Sequence, residues 1–218
     1  VKKTLKKKQL FIKEIIRGIK MAFHEYIRAV GTGPKSNREL KENEMIDAME
    51  CILNQSVHSE QIAAFLLGWR VRLESIEELK ITFDVCDKYI KRKTVENSIE
   101  LGYPFDGKAD NPYIFSLVAK YLKKFDLNIV VSGDELQPAK KGLTLKELDA
   151  NVDFDDNIHY FDRADYFKEL SDLTKIRNIL GLRTAFNTVE KLLNPGNSKY
   201  AINAAFHKPY VVKYNELF

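Results

Sequence analysis

"LGYPFDGKADNPYIF", residues 101–115, decides how the chain is read. With the preceding "ENSIE" it carries an extended stretch into a turn holding one glycine, two aspartates and a lysine. Asn111 followed by Pro112 then marks a helix start, a cap with proline in the first turn. Strand, turn, helix start is the place where many α/β proteins hold a phosphate. Further on, Ile114, Leu117, Val118, Tyr121, Leu122 and Phe125 recur at helical spacing and predict a buried stripe, with Lys120, Lys123 and Lys124 on the opposite side. "NIVVSG", residues 128–133, predicts a short buried strand. The strand–helix–strand interval predicts a right-handed parallel unit.

Toward the C-terminus, Thr144 and Glu147 box a short helix and "NIHYF" predicts another strand. Two helices follow across residues 166–181 and 184–194, the second stopped by Pro195. "YAINAAF" predicts a last strand, after which another helix begins. Toward the N-terminus the grammar is different. Residues 9–28 predict a helix from Ile12, Ile15, Ile16, Ile19 and Phe23, and "GTGPKSN" a loop. Three more helices are lined by Met45, Met49 and Ile52, by Ile62, Leu66, Trp69 and Leu73, and by Leu79, Phe83, Cys86 and Ile90. The last opens with the capping box Ser75–Glu78. No strand is predicted before about residue 92. The fold class is α/β with an all-helical N-terminal domain. Its parallel sheet is flanked by helices and left incomplete, with a bare edge, at the C-terminus, as in a fragment. The domains are 1–95, with a basic tail at 1–8, and 96–218.

Composition narrows the function classes. The 218 residues are 44% hydrophobic and 30% charged, which suits a soluble chain with a core. No run approaches the ~18 apolar residues of a membrane span. Lys13 and Glu14 interrupt the only apolar stretch near the start, which argues against a signal peptide. Cys51 and Cys86 lie in helical patterns and read as reduced, buried thiols of a cytoplasmic protein. His24, His58, His159 and His207 are scattered without metal-ligand spacing. Residues 1–20 hold eight basic side chains against Glu14 alone, so this segment, at +7, exceeds the +4 of the whole chain. Such a segment is a solvated tail or a polyanion-binding one.

Two stretches resemble the anthranilate phosphoribosyltransferase-like proteins of glycosyltransferase family 3. In residues 53–79 the resemblance is carried by Gln61, Ala64, Phe65, Leu66, Arg70, Glu74 and Glu78. In residues 176–195 it is carried by Arg177, Leu180, Gly181, Arg183, Thr184, Phe186, Asn187, Leu192, Asn194 and Pro195. The resemblance implies that helices at about 165–194 pack back on the N-terminal domain and that the helical domain forms a homodimer. It also implies where substrate would sit. Family enzymes hold the diphosphate of phosphoribosyl pyrophosphate on a Gly-Thr-Gly-Gly-Asp loop. Here Asp106-Gly107-Lys108-Ala109-Asp110 stands instead, with fewer glycines to let amides converge and an added carboxylate. The Asn-x-Ser-Thr segment leaves only Ser116. The Lys-His-Gly-Asn stretch becomes Val131-Ser132-Gly133-Asp134-Glu135, and Gly-Pro-Leu becomes Glu190-Lys191-Leu192. The family's acidic Mg²⁺ pair falls beyond Phe218. Arg177 matches the arginine that contacts the acceptor's carboxylate, but a structural pairing with Asp or Glu is the preferred reading. Asp110 and Asn111 read as helix caps rather than ligands. Asp134 and Glu135 read as solvated loop residues rather than a metal pair.

The expectation is therefore a catalytically degenerate homologue, with no catalytic residue, metal or cofactor. "FIKEIIRG" and "KLLNP" resemble the non-catalytic YbiB-type branch, which binds nucleic acid. The degenerate diphosphate loop comprises Gly107, Lys108, Asp110, Ser116 and Gly133, and Arg177 is the acceptor-site equivalent. Candidate nucleic-acid contacts, DNA or RNA, are Lys6, Lys13, Arg17, Lys20, Lys120, Lys123, Lys124, Lys140, Lys141 and Lys191, sequence-independent and salt-sensitive. Two alternatives stand beside this. One is an active, Mg²⁺-dependent phosphoribosyl- or pentosyltransferase using phosphoribosyl pyrophosphate. The other is a plain dimerisation module whose tail only solubilises.

Overall fold

Four helices open the chain, and their caps follow from local sequence. The computed structural model describes residues 22–104, 113–133, 155–205 and 207–217. Helix α1 is Phe23–Gly31, α2 Glu42–Leu53, α3 Ser59–Arg72 and α4 Ile76–Asp87. Helix α2 starts where Glu44 accepts the Lys41 N–H at 2.9 Å, and α4 where Ser75 and Glu78 exchange side-chain-to-backbone bonds. The Glu78 carboxylate does more than cap. It also accepts the Leu40 N–H at 3.1 Å, the Trp69 indole N–H at 2.8 Å and Arg72, so one buried acid ties α4 to α3 and to the approach of α2. The predicted stripes of Met45, Met49, Ile52, Ile62, Leu66, Trp69, Leu79 and Cys86 are buried together. Leu73 is a correction. It lies one residue past α3 at φ 71° and is exposed, because the chain must turn there to reach the Ser75 cap.

The sheet has strands β1 (Ser98–Gly102), β2 (Asn128–Gly133), β3 (Ile158–Asp162) and β4 (Tyr200–Ile202). All pair in parallel, in the order β3-β2-β1-β4, with Leu101 opposite both Val131 and Ile202. Strand β1 is central because its alternating residues are covered on both faces. Leu101 points with Ile129, Val131 and Tyr160 into a small core under helix α5 (Phe115–Leu122). Ser98 and Glu100 face the other way.

Helix α5 overturns a prediction. The face toward the sheet is Phe115, Ser116 and Ala119, with Leu122 of the predicted stripe half-buried beside them, whereas Ile114, Leu117, Val118, Tyr121 and Phe125 are 44–67% exposed. Helical spacing locates apolar faces but cannot choose between two of them. Here small Ala119 lets the backbone approach the sheet, and Asn157 Nδ2 donates to its carbonyl at 2.9 Å. Tyr121 and Phe125 pack on each other instead, at 5.4 Å between ring centres. Asn111 and Pro112 lie outside the described residues, as do Thr144 and Glu147.

After β3 the two long predicted helices break into α6 (Arg163–Tyr166), α7 (Lys168–Asp172), α8 (Thr174–Leu180) and α9 (Phe186–Val189). A 3₁₀ turn at Glu190–Leu192 follows α9. Gly181 ends α8 at φ 71°, a left-handed cap that glycine adopts without strain. Phe167, Leu170, Leu173, Phe186 and Val189 share one core with α1–α4, so the segment after β3 returns to the helical bundle. The backbone seals the junction: Lys93 and Val95 donate to the carbonyls of Pro195 and Gly196 at 3.0 and 2.9 Å. Helix α10 (Lys208–Leu217) is tied back through Tyr210, which accepts from Arg70 at 2.6 Å and donates to Glu74 at 2.8 Å. Among the described residues, no helix is long and apolar enough to cross a membrane. Cys51 and Cys86 are buried and unlinked, and burial pushes the Cys86 thiol far up.

Candidate functional site

In an open α/β sheet, ligands gather outside the carboxyl ends of the strands. Here those ends are Gly102, Gly133, Asp162 and Ile202. The ends of β1 and β2 are held together by the Tyr103 N–H donating to the Ser132 carbonyl at 3.1 Å. The turn read as a degenerate diphosphate loop, with Gly107, Lys108 and Asp110, lies outside the described residues, and so do Lys6, Lys13, Arg17, Lys20, Lys140 and Lys141. Ser116 is described, and it is buried in the first turn of α5.

The inner side of this rim is filled by the chain itself. A Cβ at position 102 would collide with the Lys191 carbonyl and the Asn203 side chain, so glycine is required there by close approach. Next along β1, Glu100 is 1% exposed and accepts the Ser132 hydroxyl at 2.5 Å, while its Oε2 has no hydrogen-bond partner. Burial pushes the Glu100 carboxyl up to about 7, the Ser132 bond opposing only in part.

Beneath the rim sits a fully enclosed ion cluster. Arg163 at the head of α6, Arg177 in α8 and Glu190 in the 3₁₀ turn have no exposed side-chain surface. Glu190 Oε2 accepts Arg163 Nη1 at 2.6 Å and Arg177 Nη1 at 2.9 Å. Its Oε1 accepts Arg177 Nη2 and Asn187 Nδ2, each at 3.1 Å. Four donors match what the lone pairs of one carboxylate take up. Each donor also has a second support. Arg163 donates to Ser171 and Thr174, Asn187 accepts the Thr184 N–H at 2.8 Å, and Arg177 lies 6.0 Å over the Phe186 ring.

The described lysines divide. Lys123 is bound to Asp155 and Asp156 at 2.7 and 2.6 Å. Lys120 is exposed, Lys124 stands 5.7 Å over the Tyr121 ring, and Lys191 is half-buried beside the rim. Among the described residues, no three His, Cys, Asp or Glu side chains converge as a metal site requires. Of the buried acids beneath the rim, Glu100 is a carboxyl with a raised pKa and Glu190 is taken by arginines, so neither suits Mg²⁺, while Asp162 at the end of β3 accepts the Ala164 N–H at 2.9 Å. Elsewhere a groove of about 870 Å³ runs between α1 and α3, floored by Ile27, Val30, Ala64, Leu67 and Val71.

Residues 24–82 match the glycosyl transferase family helical bundle domain. Over 198 residues the chain is 28% identical to anthranilate phosphoribosyltransferase of Petrotoga mobilis, covering 83% of this chain and 55% of that one. In sequence the chain is similar to anthranilate phosphoribosyltransferases. An uncharacterized protein of Aquifex aeolicus is 30% identical over 181 residues, covering 83% of this chain and 59% of its own length. The fold agrees. The anthranilate phosphoribosyltransferase of Thermus thermophilus superposes with a TM-score of 0.66 at 15% identity, covering 89% of this chain and 61% of that one. The Saccharomyces cerevisiae enzyme, in complex with PRPP and Mg, superposes at 0.65 with the same identity and coverage. The chain thus spans little more than half the length of the relatives it matches.

Within this anthranilate phosphoribosyltransferase-like frame, the structure joins residues that sequence reading kept apart. Glu190 was visible only as a departure from a glycine, and Arg163 and Glu100 carried no motif. The available signals were an acid inside the apolar run Ile99-Glu100-Leu101 and an arginine directly after a strand.

Proposed function

We propose that this chain is a catalytically silent homologue of anthranilate phosphoribosyltransferase, of the YbiB-type branch, that binds nucleic acid through basic surfaces without reading sequence. The observation that carries the silent half is Arg177. The arginine that would receive an acceptor's carboxylate is buried and held through both terminal nitrogens by Glu190 of the same chain. Phosphoribosyl transfer rests on positioning and charge neutralisation, and loss of one such contact costs about 3 kcal/mol, or two orders of magnitude in rate. The filled rim at Gly102 and the altered Asp106–Asp110 turn act in the same direction.

The binding half is supported by the strongly basic first 20 residues and by exposed Lys120 and Lys124. Contacts of that kind reach phosphates and lose strength steeply with salt. A homodimer through the helical bundle is part of the proposal. It is supported by the apolar groove along α1 and α3 and by exposed Leu67, Val71, Ile179 and Leu182. Any residual catalysis would be phosphoribosyl transfer.

Two assays on the full-length protein test this. With phosphoribosyl pyrophosphate, Mg²⁺ and anthranilate, diphosphate release stays at the blank rate; sustained turnover overturns the silent reading. On filters, oligonucleotides are retained at low salt and lost between about 50 and 200 mM. No retention at low salt, or retention indifferent to salt, rejects nucleic-acid binding.

A further inference from the structure

We infer that Arg163, Arg177 and Asn187 form a carboxylate-recognition site whose ligand, Glu190, is supplied by the chain itself. The inference deepens the silent reading above and rests on it. It adds that the site remains a functional receptor and is merely occupied.

The geometry of the donors argues for a receptor rather than a simple ion pair. Three side chains from three different segments converge on one carboxylate: Arg163 in α6, Arg177 in α8 and Asn187 in α9. Arg177 meets it edge-on with two nitrogens, at 2.9 and 3.1 Å, the bidentate arrangement that selects a planar carboxylate. Arg163 and Asn187 each take one oxygen, at 2.6 and 3.1 Å. Arg163 and Asn187 are oriented by groups other than Glu190, whereas the hydrogen bonds of Arg177 go to Glu190 itself. Ser171 and Thr174 hold the Arg163 guanidinium, the Thr184 backbone holds the Asn187 amide, and the Phe186 ring lies beneath Arg177. A site preorganised in this way loses little ordering entropy when it takes a ligand.

Glu190, by contrast, arrives on the 3₁₀ turn that also lays Lys191 against Gly102. One short turn therefore delivers the carboxylate and closes the floor of the rim. Glu190→Ala removes a methylene and the carboxylate, the atoms of acetate, and leaves the three donors in place. The vacated site takes acetate or formate in preference to chloride, which has no second oxygen for the paired nitrogens of Arg177.

The test is thermal unfolding of the full-length Glu190→Ala protein in sodium acetate against sodium chloride at equal ionic strength. Acetate raises its Tm by about 3 °C or more at tenfold excess over the dissociation constant, and leaves wild type unchanged relative to chloride. Glu190→Gln, whose amide still fills the space, gains nothing from acetate. Adding Arg177→Met to Glu190→Ala abolishes the gain. If Glu190→Ala does not fold in chloride, refolding yield replaces Tm as the readout, and acetate restores it. Equal response of Glu190→Ala to acetate and chloride overturns the inference. That failure would leave the diphosphate and filter assays untouched, and diphosphate release by wild type would remove the silent reading without bearing on acetate rescue.

Discussion

Both terminal nitrogens of Arg177 meet the carboxylate of Glu190, and neither side chain has any surface exposed to solvent. Such a group is costly to deprive of its partner, because the charge left behind has no water to turn to. The two residues are not equivalent, however. Glu190 also serves Arg163, so Glu190→Ala leaves two guanidiniums without their shared carboxylate, whereas Arg177→Met leaves the Arg163–Glu190 pair at 2.6 Å. Urea unfolding at pH 7 should show Glu190→Ala losing about 3–5 kcal/mol. Arg177→Met should lose distinctly less. The reverse order would mean that the acid is not the hub.

Glu100 gives the chain a pH dependence of definite sign. Its folded carboxyl is raised to about 7 by burial, above the ordinary carboxylate range. Between the unfolded value, about 4.3, and the folded one, only the folded state holds the proton, so stability falls as pH rises through this window and levels off above it. The full effect is about 4 kcal/mol. Glu100→Gln should flatten the urea midpoint between pH 5 and 8 and be more stable than wild type at pH 8. A wild-type midpoint that rises steadily over this range would contradict it.

Gly102→Ala should destabilise by about 1–3 kcal/mol, the cost of overpacking against backbone that cannot rotate away. The collision is with the Lys191 carbonyl, and it would push the 3₁₀ turn carrying Glu190 away from β1. Differential scanning calorimetry checks the loss. An unchanged Tm would show that the turn does not bear on the strand end.

The two faces of α5 should respond in opposite ways to substitution. Leu117→Gln on the exposed face should change stability by less than about 0.5 kcal/mol. Ala119→Leu, against the sheet, should cost about 1–3 kcal/mol. Equilibrium denaturation of both variants distinguishes this arrangement from the spacing-based expectation, under which Leu117 would be the buried one.

For nucleic-acid binding, removal of residues 1–8 deletes Lys2, Lys3, Lys6, Lys7 and Lys8. If all five contact phosphates of duplex DNA, the slope of log K against log salt should fall in magnitude by about 4.5. Filter binding across a salt series measures it. Equal affinity and slope after the deletion would place binding elsewhere or reduce the tail to a solubilising role.

How far the sequence could be read depends on the range of the interactions involved. The Ser75–Glu78 cap and the Met45–Met49–Ile52 stripe are local, and each appears in the structure as the residues imply. The strand positions were legible for the same reason, since β1, β2 and β3 are short runs bounded by turn residues. The buried face of α5 was not, because both of its faces are apolar and Ala119 wins by being small. Nor was the double service of Glu78, which caps its own helix and also receives Trp69 and Leu40.

By itself, the sequence determined a helical bundle followed by parallel strands, the likeness to a phosphoribosyltransferase and a turn at 106–110 that holds one glycine. These follow from periodicity, caps and turn chemistry, which act over a few residues. Only the tertiary structure decided that Glu190 would close on Arg177 and Arg163 and that Lys191 would cover Gly102. Those meetings join segments from 13 to almost 90 positions apart, and they are set by how the returning helices pack on the bundle, which no local pattern encodes.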